Sequence, residues 1–273
     1  MNWDLSRRTA VVTGGASGIG RAAALALARH GARVFVGDFS PLPDNERCFR
    51  ELGITQTFCD VRREDDLRQL LDEAAAAGDG LHVLVASAGI GMVKQIGDVT
   101  EQDWDDCLGT NLKGAFFASK HAVRHMRAAG GGSVIHVSSN AGLLPRAHDP
   151  VYSLSKGALN ALVRSLALCH AGDKIRFNAV CPGPVQDTRL MNTDLDSAAD
   201  RPGLERKIID ASPLARAHGR MITPEEVAEA ILYLASDAAL MVTGTALAIG
   251  GGKSLGVPPA QQPSASSASA RLA

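Results

Sequence analysis

The chain has 273 residues, a formal net charge of −1 and five widely spaced cysteines. This length suits one large α/β domain or two small ones, with a core that folds without disulfides or a metal. The balanced charge gives no reason to expect a nucleic-acid partner, and no apolar run predicts a membrane span. Because no Cys-x-x-Cys pair occurs and the N-terminus lacks an apolar signal region, we expect a reduced, cytoplasmic setting.

The first predicted unit is a strand, a glycine-rich turn and a helix. Residues 9–13 form a short apolar run, and an Ala-rich amphipathic helix follows to about His30. The turn reads Thr-Gly-x-x-x-Gly-x-Gly, with Gly14, Gly18 and Gly20. Such glycines let a backbone approach a pyrophosphate, and the helix N-terminus supplies N–H donors. The unit predicts a dinucleotide cradle; the alternative is that the glycines serve only a tight turn.

The second predicted strand, residues 33–37, ends at Asp38. An acid about twenty residues past the glycines can accept both ribose hydroxyls of adenosine, and its charge repels a 2′-phosphate. No Arg or Lys stands at Ser17, Phe39 or Ser40 to attract one. The pattern therefore predicts NAD in preference to NADP. The alternative is an N-cap or turn role for the acid.

A tyrosine and a lysine, Tyr152 and Lys156, lie four residues apart on one predicted helix and so share a face. A nearby ammonium favours the phenolate, so we expect Lys156 to lower the tyrosine pKa from about 10. Such a tyrosine can exchange a proton with an alcohol or carbonyl oxygen. The alternative is a surface pair without a catalytic role.

Strands and helices alternate along the rest of the chain. Helical patterns span 63–77, 100–129 and the stretch after Pro224, and Thr100 with Asp103 predicts a capped helix start. Further strands are predicted at 81–86, 133–138, 175–180 and 245–249. We expect a single α/β domain over residues 1–256, with a doubly wound, Rossmann-type parallel sheet and helices on both faces. Residues 257–273, rich in Pro, Ser and Ala, are predicted to form a disordered tail.

These motifs resemble those of the short-chain dehydrogenase/reductase family over roughly residues 5–256. The resemblance implies a catalytic set of Asn111, Ser139, Tyr152 and Lys156. It also implies a cofactor site formed by Gly14, Ser17, Gly18, Ile19, Gly20, Asp38, Asp60, Val61, Ala88, Gly89, Tyr152, Lys156, Pro182, Gly183, Val185 and Thr188. In the family, residues matching 188–222 form a flexible substrate lid.

Three departures from the family pattern stand out. Ala86-Ser87-Ala88-Gly89 replaces the usual Asn-Asn-Ala-Gly, and Gly250 replaces an acid that the family often carries. Residues 216–222 are also stretched relative to the usual run into the last helix.

The resemblance implies an NAD-dependent oxidoreductase that interconverts a secondary alcohol and a ketone. Tyr152 would act as general acid–base, and Lys156 would tune it and hold the nicotinamide ribose. Ser139 would bind the substrate oxygen, and Asn111 would position a water that links Lys156 to solvent. The family is usually tetrameric, so a homotetramer is expected, formed through segments 104–129 and 151–170 and the C-terminal edge.

Other functions compete with this prediction. A reductase acting on an imine or an enone would carry the same motifs, and a non-catalytic NAD sensor would use the same fold. Ser153 and Lys156 also satisfy the Ser-x-x-Lys pattern of some hydrolases, although their partner motifs do not occur.

Three further features lie outside these motifs. His121 and His125 have the i, i+4 spacing of metal ligands, but no third ligand is evident, so no metal site is predicted and a solvated or subunit-facing pair is expected. For His148, four residues before Tyr152, the alternatives are a contact with substrate and, as the favoured interpretation, a loop histidine without a role. In the lid, three apolar side chains could line a pocket or pack the lid itself: Met191, Leu195 and Leu204.

Overall fold

The computed structural model describes residues 3–40, 47–144 and 146–255, so the predicted tail at 257–273 lies outside the described residues. Within these residues, seven parallel strands form one sheet in the order β3-β2-β1-β4-β5-β6-β7. They are β1 Thr9–Thr13, β2 Arg33–Asp38, β3 Thr55–Phe58, β4 Val83–Ala86, β5 Gly132–Val137, β6 Ile175–Pro182 and β7 Ala246–Ile249.

Ten α-helices in the described residues surround the sheet. They are α1 Gly18–Arg29, α2 Arg47–Glu51, α3 Glu64–Ala76, α4 Glu101–Leu108, α5 Gly114–Ala128, α6 Pro150–His170, α7 Arg189–Asp196, α8 Arg201–Asp210, α9 Pro213–His218 and α10 Pro224–Ala235. Helices α1 and α10 cover one face of the sheet, and α3, α5 and α6 cover the other. The predicted doubly wound sheet with helices on both faces is confirmed.

The central strands are buried on both faces, which explains their continuous apolar runs. In β1, Val12 belongs to the core under α1 and α10, whereas Val11 belongs to the core on the opposite face. Successive side chains of a strand point to opposite faces, so a strand covered by helices on both sides must be apolar throughout. The edge strand β3 has mostly exposed side chains, and the sequence analysis did not mark it because its pattern is polar.

The order of the strands places a ligand site at the carboxyl edge of the sheet. Strand β1 pairs with β2 on one side and with β4 on the other, so successive crossovers diverge there. In open α/β sheets the crevice at such a switch point binds ligands. At the end of β4, Ser87 N donates to Thr13 O at 3.2 Å, so the Ala86-Ser87 departure leaves the strand end bonded to β1.

Several local signals are confirmed. Thr100 and Asp103 form a reciprocal capping box at the start of α4, and Pro224 occupies the first turn of α10. The predicted helix 100–129 is confirmed as an unbroken helical run, although a π-helical turn, Gly109–Lys113, joins α4 to α5 within it. Such turns occur often at functional sites, and the hydrophobic period does not reveal them.

The lid, residues 188–222, contains helices α7, α8 and α9 with a small apolar core of their own. Met191, Leu195 and Met221 are buried there, and Leu204 and Ile208 pack against them. Leu195 and Leu204 therefore pack the lid, whereas Met191 also lines the cavity described below. The assignment of residues 1–256 to one domain with a separate lid remains a prediction.

Candidate active site

A cavity of about 560 Å³ opens at the carboxyl edge of the sheet. Every residue predicted for catalysis or cofactor binding lines it, with the exception of Asn111. The elements that bring these residues together are the strand ends, the N-termini of α1 and α6, and the lid. The structure thus gathers side chains that lie as far apart in sequence as Gly14 and Thr188.

The glycine turn has a geometry that side chains would prevent. Gly14 has φ +68°, and a Cβ built on it would lie 2.6 Å from Ala88 Cα. A Cβ on Gly20 would lie 2.1 Å from Gly14 O, and Gly18 has φ +52°. Left-handed backbone and close approach both favour glycine. The turn leads directly into the N-terminus of α1, so the residues fit the cradle expected for a dinucleotide pyrophosphate.

The carboxylate of Asp38 lies beside this turn at the end of β2. Its Oδ2 accepts a hydrogen bond from Ala16 N at 2.9 Å, and its Oδ1 accepts one from Ser40 N at 2.8 Å. The acid therefore has the turn role that was the alternative at the level of sequence. It also lines the cavity, so the ribose role is compatible with the same position.

A cation that the sequence analysis missed lies at this end of the cavity. The Arg62 guanidinium lies 5.7 Å from the ring centroid of Phe39, and it forms ion pairs with Asp60 at 2.8 Å and Asp106 at 3.0 Å. Hydrogen bonds from Arg62 lower the pKa of Asp60. Arg62 comes from the loop after β3, so neither the glycine turn nor the residues beside Asp38 indicate it.

Tyr152 and Lys156 lie on one face of α6, as predicted, and both are buried. Lys156 Nζ lies 5.8 Å from the tyrosine ring centroid and donates to Val137 O at 3.0 Å. Ser139, at the end of β5, accepts from Ala141 N at 3.1 Å, and its hydrogen bond with Tyr152 lowers the pKa of the phenol.

The predicted direction of the tyrosine pKa is wrong for this structure. Burial raises the pKa of Tyr152 above its ordinary value, and this effect outweighs the hydrogen bond with Ser139 and the positive charge of Arg146. Burial also lowers the pKa of Lys156 to about 8. The reason is that desolvation disfavours both charged forms, an effect that sequence spacing does not reveal.

Asn111 lies behind the cavity wall within the π-helical turn. Its Oδ1 accepts from Ile90 N at 2.8 Å, and its Nδ2 donates to Ile90 O at 3.0 Å and to Ser155 Oγ at 3.2 Å. The side-chain amide is thus engaged by protein groups. The placement of a water by Asn111 stays a prediction, and in this structure its amide holds the segment after β4 against α6.

The opposite end of the cavity is formed by the lid and by the segment after β7. Sequence reasoning found Met191 there but missed the charged side chains, because they come from three separate segments. His148 does not line the cavity, and its Nδ1 lies 2.8 Å from Gln95 Nε2. The additional residues that line this end include Arg146, Arg189, Leu190, Asp194, Ile208 and Lys253.

Comparison with known proteins gives the family. Residues 14–254 match the family described as Enoyl-(Acyl carrier protein) reductase. A cis-4-hydroxycyclohexanecarboxylate dehydrogenase from Sinomonas cyclohexanicum is 41% identical over 251 residues, which cover 90% of this chain and 96% of that protein. The chain belongs to the short-chain dehydrogenase/reductase family.

Other members of the family support this conclusion. A tropinone reductase homolog of Arabidopsis thaliana is 35% identical over 93% of this chain and 92% of its own length. The structure of Thermoplasma acidophilum aldohexose dehydrogenase in ligand-free form is 28% identical, with a TM-score of 0.85 over 95% of this chain and 98% of that chain. This short-chain dehydrogenase/reductase is therefore an oxidoreductase that interconverts an alcohol and a ketone with a nicotinamide cofactor.

In this family member, the residues of the competing metal-site and hydrolase motifs contact other side chains. His121 Nε2 lies 3.0 Å from Glu64 Oε1, and His125 Nε2 lies 2.7 Å from Asp72 Oδ1. The two side chains are only 11% and 19% exposed and pair with separate acids of α3, so the solvated alternative is wrong, whereas the subunit-facing one stays a prediction.

Ser153 Oγ donates to Asp149 Oδ1 at 2.8 Å, whereas Lys156 Nζ donates to Val137 O. The serine and the lysine thus do not form a nucleophile–base pair. Over the part of the chain that the structure covers, no helix has both the length and the apolar character needed to cross a membrane.

Proposed function

We propose that this oxidoreductase uses NAD to oxidise a secondary alcohol, with Tyr152 as the general acid–base. The observation that carries the proposal is the single cavity that joins the phenol, Ser139 and Lys156 to the glycine turn and Asp38. A non-catalytic sensor would need the cradle but not the buried tyrosine and lysine at the other end.

The chemistry is divided between the cofactor and the protein. When bound, NAD supplies the nicotinamide C4 that accepts a hydride. Tyr152 Oη takes the proton of the substrate hydroxyl, and Ser139 Oγ donates a hydrogen bond to the substrate oxygen as it becomes a carbonyl. Because burial raises the pKa of Tyr152, the phenolate needs nearby positive charge.

Lys156 provides part of that positive charge. Its pKa of about 8 means that it is mostly protonated at neutral pH, and Val137 O fixes the ammonium beside the tyrosine ring. We assign it the second role that the resemblance implies, which is to hold the nicotinamide ribose. Asn111 acts as a positioning residue, because its amide fixes Ile90 and Ser155 beside the cavity.

The NAD preference rests on Asp38. Its carboxylate is held by two backbone N–H groups at the adenosine end of the cavity, where a 2′-phosphate would meet its negative charge. Arg62 is the nearby cation that could favour NADP, but Asp60 and Asp106 already pair with its guanidinium. The remaining assigned cofactor residues line the cavity between this end and Tyr152.

The proposal includes a homotetramer in the cytoplasm. Exposed apolar side chains on the segments implied for assembly support it, among them Trp104, Phe116 and Leu168. Light scattering after size exclusion tests the assembly, and a monomer would contradict it. All five cysteines are unpaired, in keeping with a reducing compartment.

The experiment is NADH formation from NAD, with NADP in parallel, across a panel of secondary alcohols. The panel includes cis-4-hydroxycyclohexanecarboxylate, because a relative is a dehydrogenase of that compound. Tyr152→Phe removes only the phenol oxygen and is expected to lower kcat by about 100-fold or more. Tyr233→Phe is a matched control, since that tyrosine packs against Trp3 and does not line the cavity.

Each outcome has a clear meaning. Turnover with NAD that is lost in Tyr152→Phe and kept in Tyr233→Phe supports the proposal. Turnover only with NADP would overturn the assignment of Asp38. Tight NAD binding without turnover of any alcohol or ketone in the panel would favour the sensor.

A further inference from the structure

Three cationic side chains lie at the substrate end of the cavity, and two of them, Arg146 and Lys253, lie close enough for their charges to interact. Arg146 comes from the loop before α6, and its guanidinium lies 5.9 Å from the tyrosine ring centroid. Lys253 comes from the turn after β7. The two residues are more than one hundred positions apart in sequence, so the fold alone brings these charges to one space.

Arg146 is held in place by a buried acid. Its Nε lies 3.0 Å from Asp149 Oδ2, and the Asp149 side chain is 2% exposed. The second oxygen, Asp149 Oδ1, accepts from Ser153 Oγ at 2.8 Å. This contact uses the Nε edge of the guanidinium, and an arginine has two further nitrogens that can bind an acceptor in the cavity.

Lys253 has no such partner. It is partly buried, and it forms no ion pair within residues 3–40, 47–144 and 146–255. Its backbone N donates to Gly250 O at 3.0 Å, and the preceding residues 250–252 are all glycine, so no acid stands beside it in sequence. Burial and the charge of Arg146 both lower the pKa of Lys253.

One acid, Asp194, lines the same end of the cavity. It makes no ion pair with Lys253 in the described structure, and burial raises its pKa while Arg146 lowers it. Arg146 is 43% exposed, but Lys253 is partly buried without a counter-charge, so the proximity of the two cations is unfavourable at Lys253. An anion bound between them would remove this cost.

We propose that the substrate of this enzyme carries a carboxylate that binds between Arg146 and Lys253. The inference rests on the proposed function and adds a substrate class to it: a secondary alcohol, or the matching ketone, that bears an anionic group. A carboxylate presents two oxygens, which suits one guanidinium and one ammonium. The cavity of about 560 Å³ also has to hold the nicotinamide, so the substrate is small.

The test measures binding, so that it does not depend on turnover. Isothermal titration of protein saturated with NADH compares cyclohexanecarboxylate with cyclohexanecarboxamide, which is similar in shape but uncharged. We expect the wild type to bind the carboxylate about 10- to 100-fold more tightly, the range of charge-assisted hydrogen bonds. Inorganic phosphate is titrated in parallel to distinguish a carboxylate site from a general anion site.

The main variant is Lys253→Gln, which leaves no described carboxylate without its partner. It is expected to reduce carboxylate affinity about tenfold and to leave carboxamide affinity unchanged. Arg146→Gln should likewise weaken carboxylate binding and leave carboxamide binding unchanged. Because it also removes the ion-pair partner of the buried Asp149, its folding is checked by circular dichroism. Lys207→Gln, an exposed lysine outside the cavity, is the matched control and should bind like the wild type.

Asp194→Asn should have the opposite effect on carboxylate affinity. Removing a negative charge from the same wall should tighten carboxylate binding without changing carboxamide binding. Equal affinity for the two probes in the wild type, equal losses for both probes in Lys253→Gln, or phosphate binding tighter than carboxylate would each overturn the inference. So would a loss of NADH affinity in Lys253→Gln, because the cations would then serve the cofactor.

The binding test of the substrate class and the turnover test of the proposed function can fail independently. A protein that oxidises uncharged secondary alcohols with NAD and shows no preference for the carboxylate would refute only the substrate class. Failure to bind NADH, or absence of Tyr152-dependent turnover, would refute the proposed function itself.

Discussion

Replacing the buried lysine should make the protein more stable while removing its activity. In Lys156→Met the side chain keeps a similar length and loses its charge. Lys156 is 4% exposed, and its ammonium donates to one protein acceptor, Val137 O. The charge is thus kept in a buried position mainly for its proposed role in catalysis.

The magnitude follows from the pKa. Burial lowers the pKa of Lys156 from 10.5 to about 8. Each pKa unit corresponds to about 1.36 kcal/mol, so the buried ammonium costs about 3 kcal/mol at pH 7. Methionine cannot donate to Val137 O, and the lost hydrogen bond costs about 1 kcal/mol. We expect Lys156→Met to raise the free energy of unfolding by about 2 kcal/mol at pH 7.

The pH dependence gives the sharper test. Between about pH 8 and 10.5 the unfolded wild type keeps a proton that the folded wild type has released, so wild-type stability rises through this window. The advantage of the variant should therefore shrink by about 2 kcal/mol between pH 7 and pH 9.5. Other titrating groups are common to both proteins and cancel in the difference.

The assay is urea unfolding of the wild type and Lys156→Met at both pH values, followed by circular dichroism. Lys207→Met is the control, since an exposed lysine has no burial cost to remove. A variant that is less stable than the wild type by the same amount at both pH values would refute the reasoning. In that case the ammonium would be compensated in the folded state.

Three further predictions test the cradle, the cofactor preference and a buried histidine. Gly20→Ala should lower NAD affinity more than tenfold and also stability, because its Cβ would lie 2.1 Å from Gly14 O; unchanged titration with NAD would contradict this contact. Asp38→Asn should lower the ratio of kcat/KM for NAD to that for NADP about tenfold or more, and a constant ratio in steady-state assays would show that the charge does not select the cofactor. Full burial lowers the pKa of His136 to about 4. Between about pH 6.5 and 4 the unfolded chain therefore binds a proton at this residue that the folded chain does not, and the free energy of unfolding should fall by about 3 kcal/mol from pH 6.5 to 4. His136→Gln, which can still bond Ser119, should flatten that fall in urea midpoints measured at pH 6.5 and 4, and an unchanged slope would assign the acid sensitivity to other groups.

The sequence predicted the sheet and most of the site because the responsible signals are local. The apolar runs of the central strands are continuous since helices cover both faces, and the glycines of the turn are needed where backbones approach closely. Tyr152 and Lys156 share a helix face by spacing alone. The sequence did not predict strand β3 or the π-helical turn at Asn111. An exposed edge strand has no apolar period, and one extra residue in a helical turn leaves none either.

Which charged side chains surround the site is determined by the tertiary structure alone. Arg62, Arg146 and Lys253 come from loops after β3, before α6 and after β7, and no spacing along the chain predicts that they line one cavity. The sequence also could not predict that the pKa of Tyr152 is raised, because this depends on burial that several elements produce together. Local pattern sets backbone conformation and the face of each element, whereas charge, desolvation and pKa depend on residues that are distant in sequence and meet only when the chain has folded.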